Sequence, residues 1–237
     1  MKLDVLVFAA HPDDAELNAG GTIASLVTEG KKVGIIDLTK GEMGTRGTVE
    51  TRQIEVDNAS KVLGIHYRSN LDLGDSILEN NRENQTKIIE ELRKLRPDLC
   101  LLGAPTDRHP DHGKATRLCM DALFYAGLAK FESSIDTQPW RPTTIVHYMQ
   151  DRPFEPDFIV DISDHWETKK EAILAFSSQF NVSDPKLEPE TYISNQAYFK
   201  QIEARARYFG HLAGFEFGEP FQKTNGPVGL QSLSFLR

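Results

Sequence analysis

Short apolar runs alternate with helix-length periodic segments along the first half of this 237-residue chain, and that alternation limits its folding more than any other feature. LDVLVFAA (3–10), VGIIDLT (33–39), HYRSNLDL (66–73) and LCLLGA (99–104) read as four strands. Between and after them lie four helical segments. One contains Ile23 to Glu29 and is closed by Gly30, one runs from Thr51 to Leu63 and ends at Gly64, RENQTKIIEELRKLR (82–96) is stopped by Pro97, and the last spans about His112 to Tyr125. Runs that are apolar on successive residues must be covered on both faces, and alternation of strand and helix supplies that cover by crossovers onto a parallel sheet. The expectation is an α/β fold, a three-layer sandwich around a mostly parallel sheet.

The second half is less regular. TTIVHYM (143–149) and DFIVDIS (157–163) read as strands, and Asp164 with Glu167 has the spacing of a capping box for a helix reaching Phe176. SQFNVSDPKLEPE (178–190) is a polar excursion suited to a lid or an oligomer contact, and a last helix covers Ser194 to Leu212. The stretch after Gly214 carries turn signals without clear periodicity. No repeat or linker interrupts the chain, so residues 1–237 are expected to form one domain.

Composition narrows the function classes. A formal charge of −8 argues against general nucleic-acid or membrane-surface binding, although it leaves room for a local basic pocket. Cys100 and Cys119 stand in apolar stretches, too far apart for a CxxC knuckle, and are expected to be core thiols. No segment approaches the roughly 20 apolar residues of a membrane span, and the start lacks a signal-peptide cleavage pattern. A cytoplasmic enzyme or binding protein without nucleic-acid or membrane partners is the expected class.

The polar clusters fall at one end of the strands. HPDD (11–14) follows the first, KGE (40–42) the second, LGDS (73–76) the third and TDRHPDH (106–112) the fourth. Carboxyl ends of parallel strands are where open α/β sheets bind ligands, and with the strand order 3-2-1-4 the first and fourth clusters meet at the topological switch point. His11, one of Asp13 or Asp14, and a histidine of HPDH then form a two-histidine, one-carboxylate set. Zinc hydrolases use three such ligands and keep a fourth position for water. A cation also accounts for the twin aspartates, because one can ligate while its neighbour accepts a proton. Spacing alone leaves open which does which. His109 and His112, three apart at a helix mouth, can share one site, with one binding metal and the other facing an oxyanion; Asp111 can orient a histidine.

Weaker signals surround these. Arg46 in GTRGT, Arg52 one turn into the next helix, and Arg108 beside His109 suit recognition of an anionic substrate, against the plain alternative of solvated surface. Asp72 and Asp75 are open to a substrate hydroxyl or to the turn itself. The Gly20-Gly21 pair lacks dinucleotide spacing and is expected to serve close helix packing, which removes support for nicotinamide binding. His66, His147, His165 and His211 lack paired spacing and are expected to be structural.

AAHPDDAEL with RHPDH resembles the two signature motifs of the LmbE-like, or PIG-L, family of zinc-dependent N-acetylglucosamine deacetylases, and TKGEMGTRGTVETRQIEVDNASKVLG (39–64) and GEPF (218–221) extend the likeness along nearly the whole chain. Within that family the chain looks most like the bacillithiol-pathway deacetylases, which remove acetate from N-acetylglucosaminyl malate. The resemblance implies a Rossmann-like fold with one zinc ion per chain, iron(II) fitting the same ligands. His11, Asp14 and His112 would be metal ligands, Asp13 the general base, His109 the oxyanion group and Asp111 its tuner, with Arg46 and Arg52 on the substrate side. Some relatives carry a tyrosine where this chain has Asp107-Arg108, so a different oxyanion partner is expected here. The implied partners are a small amino-sugar conjugate and further copies of the chain, a hexamer among the options. The alternatives are an amidase for another N-acyl sugar, either an inositol conjugate or a chito-oligosaccharide, and a non-catalytic sugar- or metal-binding protein.

Overall fold

The computed structural model describes residues 1–133, 135, 138–180, 189–224, 226, 228 and 229. The first half follows the alternation: β1 (Val5–Ala9), α1 (Asp14–Thr28), β2 (Val33–Asp37), α2 (Val49–Leu63), β3 (Tyr67–Asn70), α3 (Arg82–Leu95), β4 (Leu99–Leu102) and α4 (Pro110–Ala126). The remainder comprises β5 (Thr144–Tyr148), β6 (Phe158–Asp161), α5 (Trp166–Leu174), α6 (Ser177–Phe180), α7 (Gln196–Ala213) and β7 (Gly218–Lys223). The seven strands form one sheet in the order β3-β2-β1-β4-β5-β7-β6. β3, β2, β1, β4 and β5 pair in parallel, and β7 runs antiparallel to both β5 and β6.

Both faces of the sheet are dry, as the apolar runs require. Along β1, Leu6 and Phe8 join the core beneath α3 and α4 with Ile88, Leu92 and Leu118, while Val5, Val7 and Ala9 face α1 through Ala15, Ala19 and Ile23. A third cluster ties α2, α5 and α7 together through Val56, Ile173 and Ile202. Cys100 and Cys119 are buried free thiols in the first of these cores. The glycine pair packs as expected, since a β-carbon on Gly21 would lie 2.7 Å from Ile162.

Local signals set several helix ends. The Thr48 side chain accepts from Thr51 N–H at the start of α2, and Gly64 closes that helix at a φ of 67°. Arg96, just before Pro97, ends α3 in the left-handed region. The capping box at Asp164 and Glu167 does not form. A 3-10 turn over Ser163–His165 precedes α5, and the Asp161 carboxylate takes the Ser163 N–H at 2.9 Å instead.

The stretch after Gly214 departs from its lack of periodicity by supplying β7. Pro220 faces only β6, opposite Ile159, because pairing with β5 begins one residue later at Phe221. A proline is therefore tolerated in a strand with neighbours on both sides. The expected excursion over 178–190 is described only at its ends, residues 181–188 lying outside the described residues. Among the described residues, no helix is long and apolar enough to cross a membrane.

Candidate active site

Parallel pairing of Val7 with Leu101 sets the ends of β1 and β4 side by side, and the two histidine clusters follow those ends. After β1 the chain passes His11 and Pro12 and turns sharply at Asp13, whose φ of 114° lies in the left-handed region. For a residue with a β-carbon such a conformation costs about 1–3 kcal/mol and persists where the surroundings enforce it. Its effect is to part the two aspartates. Asp13 turns toward Arg52, whose Nη1 donates to the Pro12 carbonyl at 2.8 Å and lies 3.4 Å from Asp13 Oδ2. Asp14 opens α1 and stands between two imidazoles, with Oδ2 3.5 Å from His11 Nδ1 and Oδ1 3.2 Å from His112 Nε2.

His112 is oriented from behind. Its Nδ1 lies 2.6 Å from Asp107 Oδ2, and the other Asp107 oxygen accepts the Arg152 N–H at 2.7 Å. An imidazole that gives its Nδ1–H to a carboxylate presents the Nε2 lone pair on the opposite side, here toward Asp14. His109 is the N-cap of α4, and its Nδ1 accepts the Asp111 N–H at 3.2 Å. A ring nitrogen that accepts carries no proton, so the His109 proton sits on Nε2. The Asp111 carboxylate is turned elsewhere: Oδ2 accepts the Ser76 N–H at 2.6 Å and lies 3.8 Å from His11 Nε2.

The electrostatics favour positive charge. Burial opposes a proton on His11, yet Asp111, Asp14 and Asp75 outweigh it and hold the imidazolium well above the ordinary histidine range. Burial likewise opposes a proton on His112, but Asp14 and Asp107 push it up to about 9. Asp14 stays ionised well below the usual carboxylate range, its burial overcome by His112 and His11. Asp13 differs: burial lifts it to about 7, against the pull of Arg52. His109 is lowered by burial and by the two neighbouring imidazoles, and so remains neutral.

Carboxylates that force two partly buried imidazoles to hold protons are the surroundings a divalent cation would satisfy, and mixed nitrogen and oxygen donors suit zinc or iron(II). Ligand atoms of His11, His109 and His112 lie within 4.8 Å of one another, as do those of His11, Asp75 and Asp111. The residues therefore fit a metal ion.

His11, Asp13, Asp14, Asp75, His109 and His112 line one open cleft. The three arginines separate here. Arg52 lines the cleft but is only 6% exposed and engaged with Pro12 and Asp13. Arg108 lies at the rim, its Nε 2.8 Å from Asp151 Oδ2 and its guanidinium over the Tyr192 ring. Arg46 is half-buried beside the cleft, outside its lining, and its carbonyl accepts from Gln179. Asp72 pairs with Lys40, whereas Asp75 turns inward to His11. His147 is structural, bridging the Gly103 carbonyl and the Thr224 hydroxyl.

Sequence reasoning passes over Gln150, whose Nε2 lies 2.8 Å from His112 Nδ1 and 3.4 Å from Asp14 Oδ1. Its signal was present, since it follows β5 as the other clusters follow their strands. Arg205 on α7 carries no such signal, and donates to the Gln150 carbonyl and to Asn18 Oδ1.

Comparison with known proteins agrees with this geometry. The PIG-L family model, described as GlcNAc-PI de-N-acetylase, matches residues 6–123. The chain is 32% identical over 232 residues to diacetylchitobiose deacetylase of Thermococcus kodakarensis, covering 94% of this chain and 83% of the relative. A conserved protein of Thermus thermophilus superposes with a TM-score of 0.86 at 38% identity over 99% of both chains. N,N'-diacetylchitobiose deacetylase of Pyrococcus horikoshii gives 0.81 at 27% identity, over 93% of this chain and 83% of the other. The chain belongs to the PIG-L, or LmbE-like, family.

Proposed function

We propose that the chain is a zinc-dependent deacetylase that removes acetate from an N-acetylglucosaminyl conjugate. The observation that carries this reading is the parting of Asp13 from Asp14, which leaves one carboxylate between two imidazoles and its neighbour, lifted to about 7, against the same cleft. Deacetylase activity in relatives such as that of Thermococcus kodakarensis supports it.

His11, Asp14 and His112 would hold the ion. His109 is excluded from that trio because its protonated Nε2 has no lone pair to give, its Nδ1 being engaged with Asp111 N–H. When bound, the ion supplies Lewis-acid polarisation of the acetamide carbonyl and acidifies the attacking water. Asp13 takes a proton from that water as the new C–O bond forms, and returns it to the departing nitrogen as the C–N bond breaks, releasing acetate and a free amine. His109 Nε2–H donates to the oxyanion, an interaction worth roughly 3 kcal/mol when well placed. Asp111 serves through its backbone N–H, which fixes the His109 tautomer.

The aglycone has two readings. The motif likeness favours malate, whose carboxylates Arg108 at the rim would meet; the relatives that act on diacetylchitobiose favour a chito-oligosaccharide. A cytoplasmic homo-oligomer completes the proposal. Free-amine release from malate, inositol and chito-oligosaccharide conjugates of N-acetylglucosamine, measured side by side, tests both levels. Activity on one conjugate assigns the aglycone, and no amine from any of them overturns the enzymatic reading in favour of a binding protein.

A further inference from the structure

The loop after β3 adopts a costly shape around one carboxylate. Asp72, Gly74 and Ser76 have φ values of 52°, 87° and 66°, so two residues with β-carbons are held left-handed within five positions. A simple reversal between β3 and α3 does not need this strain. What it achieves is the placement of Asp75, which is 7% exposed. Its Oδ1 lies 3.2 Å from His11 Nε2, and its Oδ2 accepts the Met43 N–H at 3.0 Å. In return, the Asp75 N–H donates to Glu42 Oε1 at 2.8 Å. Two loops are thus latched in both directions, and Gly41, Met43 and Gly44 of the first form part of the cleft wall.

We propose that Asp75 is a positioning residue that orients His11 for the ion and, through Met43, joins ion occupancy to the cleft wall at 41–44. This rests on the reading of His11, Asp14 and His112 as the ion site. A His11 ring that gives Nε2–H to Asp75 turns its Nδ1 lone pair toward Asp14. Oδ2 of the same carboxylate holds the loop, so movement of the imidazole is passed to Met43 through one rigid group. Asn offers a single acceptor oxygen and serves one partner only; Ala serves neither.

Zn²⁺ alone is the probe, titrated against a chromophoric chelator at one neutral pH with the full chain. Asp75→Asn and Asp75→Ala are expected to bind about 10- to 100-fold more weakly than the wild type. Asp72→Asn, in the same loop but paired with Lys40, is expected to bind like the wild type. Hydrogen exchange on the wild type needs no variant: zinc is expected to slow exchange at Met43. Folded Asp75 variants with wild-type zinc affinity overturn the proposal, as does Met43 exchange that ignores zinc. Two ions per chain, one of them among His11, Asp75 and Asp111, also overturn it. A wild type that takes up no zinc defeats the ion-site reading itself, which separates the two failures.

Discussion

The five parallel strands and the C-terminal layer contribute to the site in opposite ways. The parallel strands carry the chemistry: His11, Asp13, Asp75, Asp107 and His112 all follow carboxyl ends and are set by turns a few residues long. The C-terminal layer carries none of the proposed ligands; it walls the cleft with Gln179, Ile193 and Tyr198 and otherwise braces the site from behind. Arg205 on α7 anchors the Gln150 carbonyl and Asn18, and Tyr198 donates to Asp151. Glu219 on β7 accepts the Gly21 and Thr22 N–H groups at 3.0 and 2.8 Å and meets Lys169, all of them buried. Reactive groups can therefore be supplied locally while the helix that bears them is braced from the far end of the sequence.

Five substitutions test this division, beginning with the largest effect. Asp13→Ala is expected to keep zinc and lose about 10²- to 10⁴-fold in turnover, whereas His11→Ala loses both, as metal analysis beside an amine-release assay will read. Equal turnover in Asp13→Ala and the wild type removes the base assignment. Glu219→Ala leaves the Lys169 amine and the Gly21 and Thr22 N–H groups buried without their partner, which should cost about 3–5 kcal/mol in denaturant unfolding. A cost below 1 kcal/mol would mean that the C-terminal brace is dispensable. Gly21→Ala drives a methyl group against Ile162 and should cost about 1–3 kcal/mol, with Tm as the measure. Thr48→Ala removes the α2 cap, wholly within the parallel half. It should cost about 1 kcal/mol in unfolding free energy and leave zinc affinity unchanged.

How far each region could be read from sequence follows the same division. β1, β2 and β4 were legible because burial on both faces demands continuous apolar runs, and the strand order then placed HPDD beside HPDH without a single coordinate. β3 reads three residues too long at its C-terminal end, because its apolar Leu71 and Leu73 continue past Asn70 into the left-handed turn. Asp13 and Asp14 were inseparable by spacing, since the backbone reversal that parts them leaves no mark on residue type. β7 was hidden by its buried Glu219 and Pro220, both poor strand residues; Glu219 finds partners some 50 and 200 positions away, and Pro220 pairs only with β6. Arg205 was hidden for the same reason: its partners are fixed only when α7 docks.

The carboxylate of Glu219 is also a condition on assembly. Every group proposed to grip the ion lies within the first 112 residues, yet the helix opened by Asp14 is clasped at its middle by a strand that the ribosome delivers more than a hundred residues later. A fragment ending after His112 would own all the donors but not the frame that aims them. Shortening this protein to a minimal metal-binding piece is therefore expected to yield a loose chelator, with the rigid cleft arriving only with the closing strand.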